Sequence, residues 1–237
     1  MNKLVIFVEG QTERIFTENL VRYLGSEHNI GIQTKRMYGG RRVKPRMVIE
    51  ISGTNETTNL DYFILIVDCG GDERVKSEII DSYDGLIENS YQVIIGIRDV
   101  IPYVRDNIQQ LRKGFAFRLR KEPIEPLLVL AIMETEAWFL AEHSHFLRIH
   151  PNLTLDRIKQ NFGFDPNIDD MQLRDYPYED LKNIYSLEAI GYNKTRENVE
   201  RTVSILDFGT ITKELSLRII DLGKLINTIK YFFGLSR

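Results

Sequence analysis

The sequence predicts an α/β protein, a mostly parallel sheet flanked by helices with a helical C-terminal extension. Two patterns carry this expectation. Runs at residues 4–8, 62–67, 92–97 and 127–132, apolar but for Gln92, have the length of strands and leave no face for solvent. The segments between most of them repeat apolar residues at helical spacing, and strands alternating with helices imply parallel pairing with both faces covered.

In order, Leu4-Val5-Ile6-Phe7-Val8 predicts a first buried strand ending at Glu9-Gly10-Gln11-Thr12-Glu13. Ile15, Phe16, Leu20, Val21 and Leu24 then predict a helix, with Gly25 as a left-handed exit. Residues 30–37 read as a second strand, followed by the Gly39-Gly40 turn and a basic loop. Residues 48–51 suit helix or strand, and 52–59 read as a connection. The strand at 62–67 ends in Asp68-Cys69-Gly70-Gly71-Asp72, before a helix carrying Val75, Ile79, Ile80 and Tyr83. The strand at 92–97 ends at Arg98-Asp99 and precedes a helix near 104–111. The strand at 127–132 ends at Met133-Glu134-Thr135-Glu136. From about Ala137 onward there is helical periodicity without another buried strand, closing on a helix at 215–233. The expected division is an α/β domain over 1–146 and a helical extension over 147–237.

With 43% apolar residues in 237, the chain can bury a sizeable core. No run reaches the roughly 20 apolar residues of a membrane helix. The segment after Met1 reads as a strand rather than a leader, and Cys69 is the sole cysteine, which excludes an intramolecular disulfide framework and a cysteine zinc knuckle. A cytoplasmic protein without membrane association is expected. The net charge of −3 argues against a bulk polycation. The basic residues are clustered, however, at Arg41-Arg42-Val43-Lys44-Pro45-Arg46 and at Arg112-Lys113 with Arg118-Leu119-Arg120-Lys121. Such patches are either solvated surface or sites where backbone phosphates are neutralised.

Four predicted strands end on carboxylates: Glu9, Asp68, Asp99, and Glu134 or Glu136. In a parallel sheet these ends share one edge, where open α/β sheets bind ligands. Acids after strands also serve as helix caps. Several together would repel without a cation, and all-oxygen ligands suit Mg²⁺ or Mn²⁺ rather than zinc. His143, His145 and His150 read as a helix-end surface, Trp138 as core, and Cys69 as a small buried hydrophobe. The glycine turn lacks the Gly-Lys-Ser/Thr ending of an ATP-binding loop.

Val8-Glu9-Gly10-Gln11-Thr12-Glu13 resembles the EGxTE opening of Toprim-type nucleases, including the OLD-like group. Glu134-Thr135-Glu136-Ala137-Trp138-Phe139-Leu140-Ala141 resembles the E-x-E-A-W-x-L-A segment of a bacterial Toprim-like group, the DUF4276 type, with a weaker echo in Tyr192-Asn193-Lys194. The resemblance spans about residues 3–142. It implies that Glu9 acts as general acid/base and that aspartates hold Mg²⁺. The family's D-x-D is incomplete here: Asp68 and Asp99 each match only its first position, and Asp72 falls too late.

The expected activity is Mg²⁺-dependent (or Mn²⁺-dependent) hydrolysis of DNA or RNA phosphodiesters. Glu9, Asp68 and Asp99 are central, with Asp72, Glu134 and Glu136 in support. Gly10 and the helix opened by Thr12 would meet phosphate, as would Arg41, Arg42, Lys44 and Arg46. Lys194 is a transition-state cation or an ordinary surface lysine. The resemblance also implies an ATPase partner and a place in phage defence, and a homodimer is compatible with it. The alternatives are a catalytically degenerate module binding nucleic acid or a partner, and a small-molecule phosphotransfer enzyme or phosphatase.

Overall fold

A computed structural model describes residues 1–39, 47–54 and 59–235, and for Asp72 and Glu73 the backbone alone. The first apolar run is β1 (Asn2–Val8), in which Leu4, Val5, Ile6 and Val8 are fully buried. It is followed by α1 (Gln11–Leu24), β2 (Ile30–Tyr38), β3 (Met47–Gly53), β4 (Tyr62–Asp68), α2 (Asp72–Glu88), β5 (Val93–Asp99), α3 (Ile108–Ala116) and β6 (Leu127–Ala131). The described strands form one sheet in the order β3-β2-β4-β1-β5-β6. β1 runs parallel to β4 and β5, β2 runs parallel to β4, and β2 and β3 are antiparallel. Val8 stands opposite Asp68 on one side and Ile97 on the other, so the carboxyl ends of β1, β4 and β5 face one edge.

The ambiguous segment at 48–51 is a strand. Met47, Val48 and Ile49 are all exposed, and a strand at the sheet margin without a buried face carries no alternation to read. Gly25 is not left-handed; its φ is −92°. A side chain there would instead meet Phe233 at 2.9 Å and Ile30 at 3.0 Å, so close packing explains the glycine.

The chain forms two compact units. The first comprises Met1–Arg98, Gln109–Leu130 and Lys224–Arg237, and the second Asp99–Ile108 and Ala131–Gly223. This differs from the division expected at 146/147, and packing supplies the reason. The closing helix (Ile220–Phe232) begins later than its periodicity suggested, after a π-helical turn at Ile211–Leu215. Its last turns return to the first unit, where the Tyr62 hydroxyl donates to the Phe233 carbonyl at 3.2 Å. His28 stacks on the Phe233 ring there.

The second unit contains α4 (Glu136–Ala141), α5 (His145–Ile149), α6 (Leu155–Phe162), α7 (Pro177–Ser186) and α8 (Arg196–Ser204). Every residue of α4 is buried, and it packs on α7 and on the 3₁₀ turn Met171–Leu173. No helix among the described residues is long and apolar enough to cross a membrane.

His145 is fully buried, contrary to the surface expected for it. Its Nδ1–H donates to the Glu142 carbonyl at 2.6 Å, and its ring lies against Phe146. Burial holds the imidazole neutral, with its pKa down at about 3. As pH falls below the ordinary value near 6.5, the unfolded chain takes up a proton that the folded chain refuses. The stability present above about pH 6.5 is therefore lost towards pH 3, with a slope from this group on the order of 1.4 kcal/mol per pH unit. His145→Phe keeps the ring packing and should remove that slope in urea melts between pH 6.5 and 4.5, at a cost near 1 kcal/mol for the lost hydrogen bond. An unchanged slope in the variant would place the pH sensitivity elsewhere.

Candidate metal centre

The second unit draws three carboxylates together from separate stretches of chain. Asp99 is the last residue of β5, Glu134 lies in the turn after β6, and Glu136 opens α4. One oxygen from each lies within 4.8 Å of the others. All three are buried: Asp99 is 6% exposed, Glu134 8% and Glu136 0%.

Backbone bonds bring these stretches into register. Val100 N–H bonds the carbonyls of Ala131 and Met133 at 3.1 Å each, and Ile101 N–H bonds Met133 at 3.0 Å. Met133 adopts φ +62°, a left-handed turn uncommon outside glycine, directly before Glu134. Trp138, 1% exposed, anchors the helix that Glu136 begins, as expected of a core residue.

Each carboxylate has one oxygen held by a protein donor. Asp99 Oδ1 accepts from the amide and the hydroxyl of Thr135, both at 3.0 Å. Glu134 Oε2 accepts from the Tyr178 amide at 2.9 Å. Glu136 Oε1 accepts from the Tyr192 hydroxyl at 2.9 Å. The other oxygens of the two glutamates meet one cation: Lys194 Nζ lies 3.0 Å from Glu134 Oε1 and 3.2 Å from Glu136 Oε2. The same ammonium sits 5.1 Å from the centre of the Tyr178 ring.

The electrostatics are demanding. Two carboxylates under 5 Å apart repel by roughly 3 kcal/mol at an effective dielectric of about 20, before any offset from donors and cations. Lys194 offsets one charge. The donor set is entirely carboxylate oxygen, which fits the hard ions Mg²⁺ and Mn²⁺.

No family model matches the chain, and no curated protein matches it. Among solved structures, it is similar to a hypothetical protein from Pyrococcus horikoshii OT3. The two are 16% identical with a TM-score of 0.47, over 98% of this chain and 99% of that one.

Of the acids expected from sequence, Asp99, Glu134 and Glu136 are brought together with Lys194, whereas Glu9 and Asp68 belong to the first unit. Glu9 is half-buried after β1, and its carbonyl accepts from the Gly71 amide at 2.8 Å. Asp68 is fully buried at the end of β4, with its Oδ1 on the Gly70 amide at 3.0 Å and its Oδ2 3.5 Å from Arg36 Nε. Burial pushes the Asp68 carboxyl up, against the opposing pull of Arg36, the Gly70 amide and Arg14. Gly70 makes that turn at φ +69°, with its Cβ position 3.1 Å from the Met37 carbonyl.

Asp72 begins α2 by its backbone. The Gly10 amide, expected to meet phosphate, donates to the α1 residue Glu13 at 2.9 Å, and Thr12 is buried. Arg41, Arg42, Lys44 and Arg46 lie outside the described residues.

Sequence reasoning overlooked Thr135, Tyr178 and, as a carboxylate partner, Tyr192. Thr135 stands between the two glutamates of the E-x-E segment, and Tyr192 in the Tyr-x-Lys echo, so each had a local signal. Tyr178 contributes a backbone amide, for which no residue type is diagnostic.

Proposed function

We propose that this protein is a cytoplasmic, divalent-metal-dependent nuclease hydrolysing DNA or RNA phosphodiesters, with Asp99, Glu134 and Glu136 as ligands of Mg²⁺ or Mn²⁺. The observation that carries the reading is the convergence of three buried carboxylates on a centre already attractive to a cation. The Toprim-like motifs supply the reaction class. Exposed cations at Lys113, Arg118, Arg120 and Lys121 in the first unit support a polyanionic substrate, although Arg120 also pairs with Asp84 and Lys121 with Glu125.

A bound divalent ion supplies Lewis-acid stabilisation of charge developing on phosphoryl oxygens. The protein's part is positional. Thr135, Tyr178 and Tyr192 hold the carboxylates in orientation, as outer partners of metal ligands do, and burial keeps competing water from the acids. Lys194 brings an ammonium to the same point, suited to a phosphate oxygen as a point charge.

A second reading rests on one observation: Lys194 already neutralises part of the triad. On that reading the fold is a non-catalytic module that binds nucleic acid or an ATPase partner. To separate them, the protein is incubated with plasmid, single-stranded DNA and transfer RNA, with Mg²⁺, Mn²⁺ or chelator. Cleavage that needs the metal and stops with chelator is expected, and its substrate preference identifies the nucleic acid. Binding without cleavage, persisting when a partner ATPase is added, would favour the module. Glu9→Gln belongs in the same assay, because loss of cutting there would extend the catalytic machinery to the first unit.

A further inference from the structure

We infer that Lys194 is a displaceable internal counter-ion, holding the glutamates together without metal and leaving them when a divalent cation binds. Metal loading then frees an ammonium beside the centre for a substrate phosphate. The inference rests on the metal-binding reading above and adds an order of events to it: metal first, phosphate second.

The geometry determines which partner moves. Glu134 is held through Oε2 by the Tyr178 amide and Glu136 through Oε1 by the Tyr192 hydroxyl, each at 2.9 Å. Both acids are buried, so rotating either one breaks a hydrogen bond that holds it. Their other oxygens face the Lys194 ammonium at 3.0 and 3.2 Å. Lys194 is different in kind: its side chain is 35% exposed, and its four-carbon stem can swing the charge to solvent.

A metal ion taking the same two oxygens would meet the ammonium at contact distance, where the two positive charges repel strongly. The carboxylates therefore stay and the lysine leaves. The Lys194 backbone stays in place, so the released ammonium remains within the reach of its four-carbon stem from the centre.

Competition from an internal cation lowers apparent metal affinity by the fraction of molecules in which the lysine is docked. The test is Mn²⁺ titration of full-length wild type and of Lys194→Met by calorimetry, with thermal melts at each metal concentration. Lys194→Met should bind Mn²⁺ roughly tenfold more tightly, corresponding to a docked fraction of about nine in ten. The variant's melting temperature should lie below that of wild type without metal and rise further when Mn²⁺ is added, because its glutamates have lost their counter-ion.

Should the variant fold poorly, wild type carrying ¹⁵N-labelled lysine side chains provides the second measurement. One ammonium resonance, protected from solvent exchange without metal, should lose that protection on saturation with Mg²⁺; its absence from Lys194→Arg assigns it. Unchanged or weaker Mn²⁺ binding in Lys194→Met, or a resonance still protected at saturating Mg²⁺, overturns the displacement and leaves the metal centre standing. Absence of Mn²⁺ binding by both proteins overturns the metal reading itself.

Discussion

If the proposed nuclease activity is present, Glu136→Gln should lower metal-dependent cleavage by roughly 10²-fold or more, with the protein still folded. The side chain is fully buried, and the substitution changes its charge while keeping its size. Glutamine retains an oxygen for the Tyr192 hydroxyl, so the packing of α4 is undisturbed. What is lost is one of the three carboxylates proposed to hold the metal and one of the two facing Lys194. Removing a single electrostatic group from a water-excluded site typically costs on the order of 10²–10³ in rate.

The structural cost should be smaller than the roughly 3–5 kcal/mol of breaking a fully buried ion pair, since Lys194 keeps Glu134 and its access to water. Cleavage rate, Mn²⁺ affinity and circular dichroism measured on one preparation separate these effects. Cleavage within threefold of wild type would remove Glu136 from the chemistry, and with it the case for the triad.

The largest effect on stability is expected at Trp138. Trp138→Ala empties a site with 1% exposure in a helix buried along its whole length. Truncating a core aromatic to alanine costs about 3–5 kcal/mol, part of it from the cavity left behind. For a chain of this length that corresponds to a fall of roughly 10 °C in melting temperature. Metal affinity should fall as well, because Trp138 steadies the helix that presents Glu136 two residues earlier. Trp138→Phe should recover most of both losses. A variant that melts with wild type would show that α4 draws its stability from elsewhere.

The parts of the fold legible in the sequence were those where burial leaves a mark on composition. β1, β4, β5 and β6 are covered on both faces, so their central residues are apolar and their limits lie within a residue or two of the apolar runs. β3 has no buried face, and its sequence suited helix as well as strand. Gly25 read as a left-handed helix exit, yet its φ is not left-handed and what excludes a side chain is the Phe233 ring more than 200 residues away together with Ile30. Among the acids, the choice between Glu134 and Glu136 dissolves, since both reach the centre.

The sequence by itself determined the α/β class, the positions of the buried strands along the chain and the presence of acids at their ends. These follow from hydrophobic periodicity and turn chemistry, which act between near neighbours. Only the tertiary structure decided which acids meet. The residues just after Asp99 bond the backbone just before Glu134 across more than 30 residues, while Tyr178, Tyr192 and Lys194 reach the glutamates from 44, 56 and 60 residues away. The reason is physical: a carboxylate's neighbours in space are set by how helices and turns pack, and packing partners that distant leave no period in the chain to read.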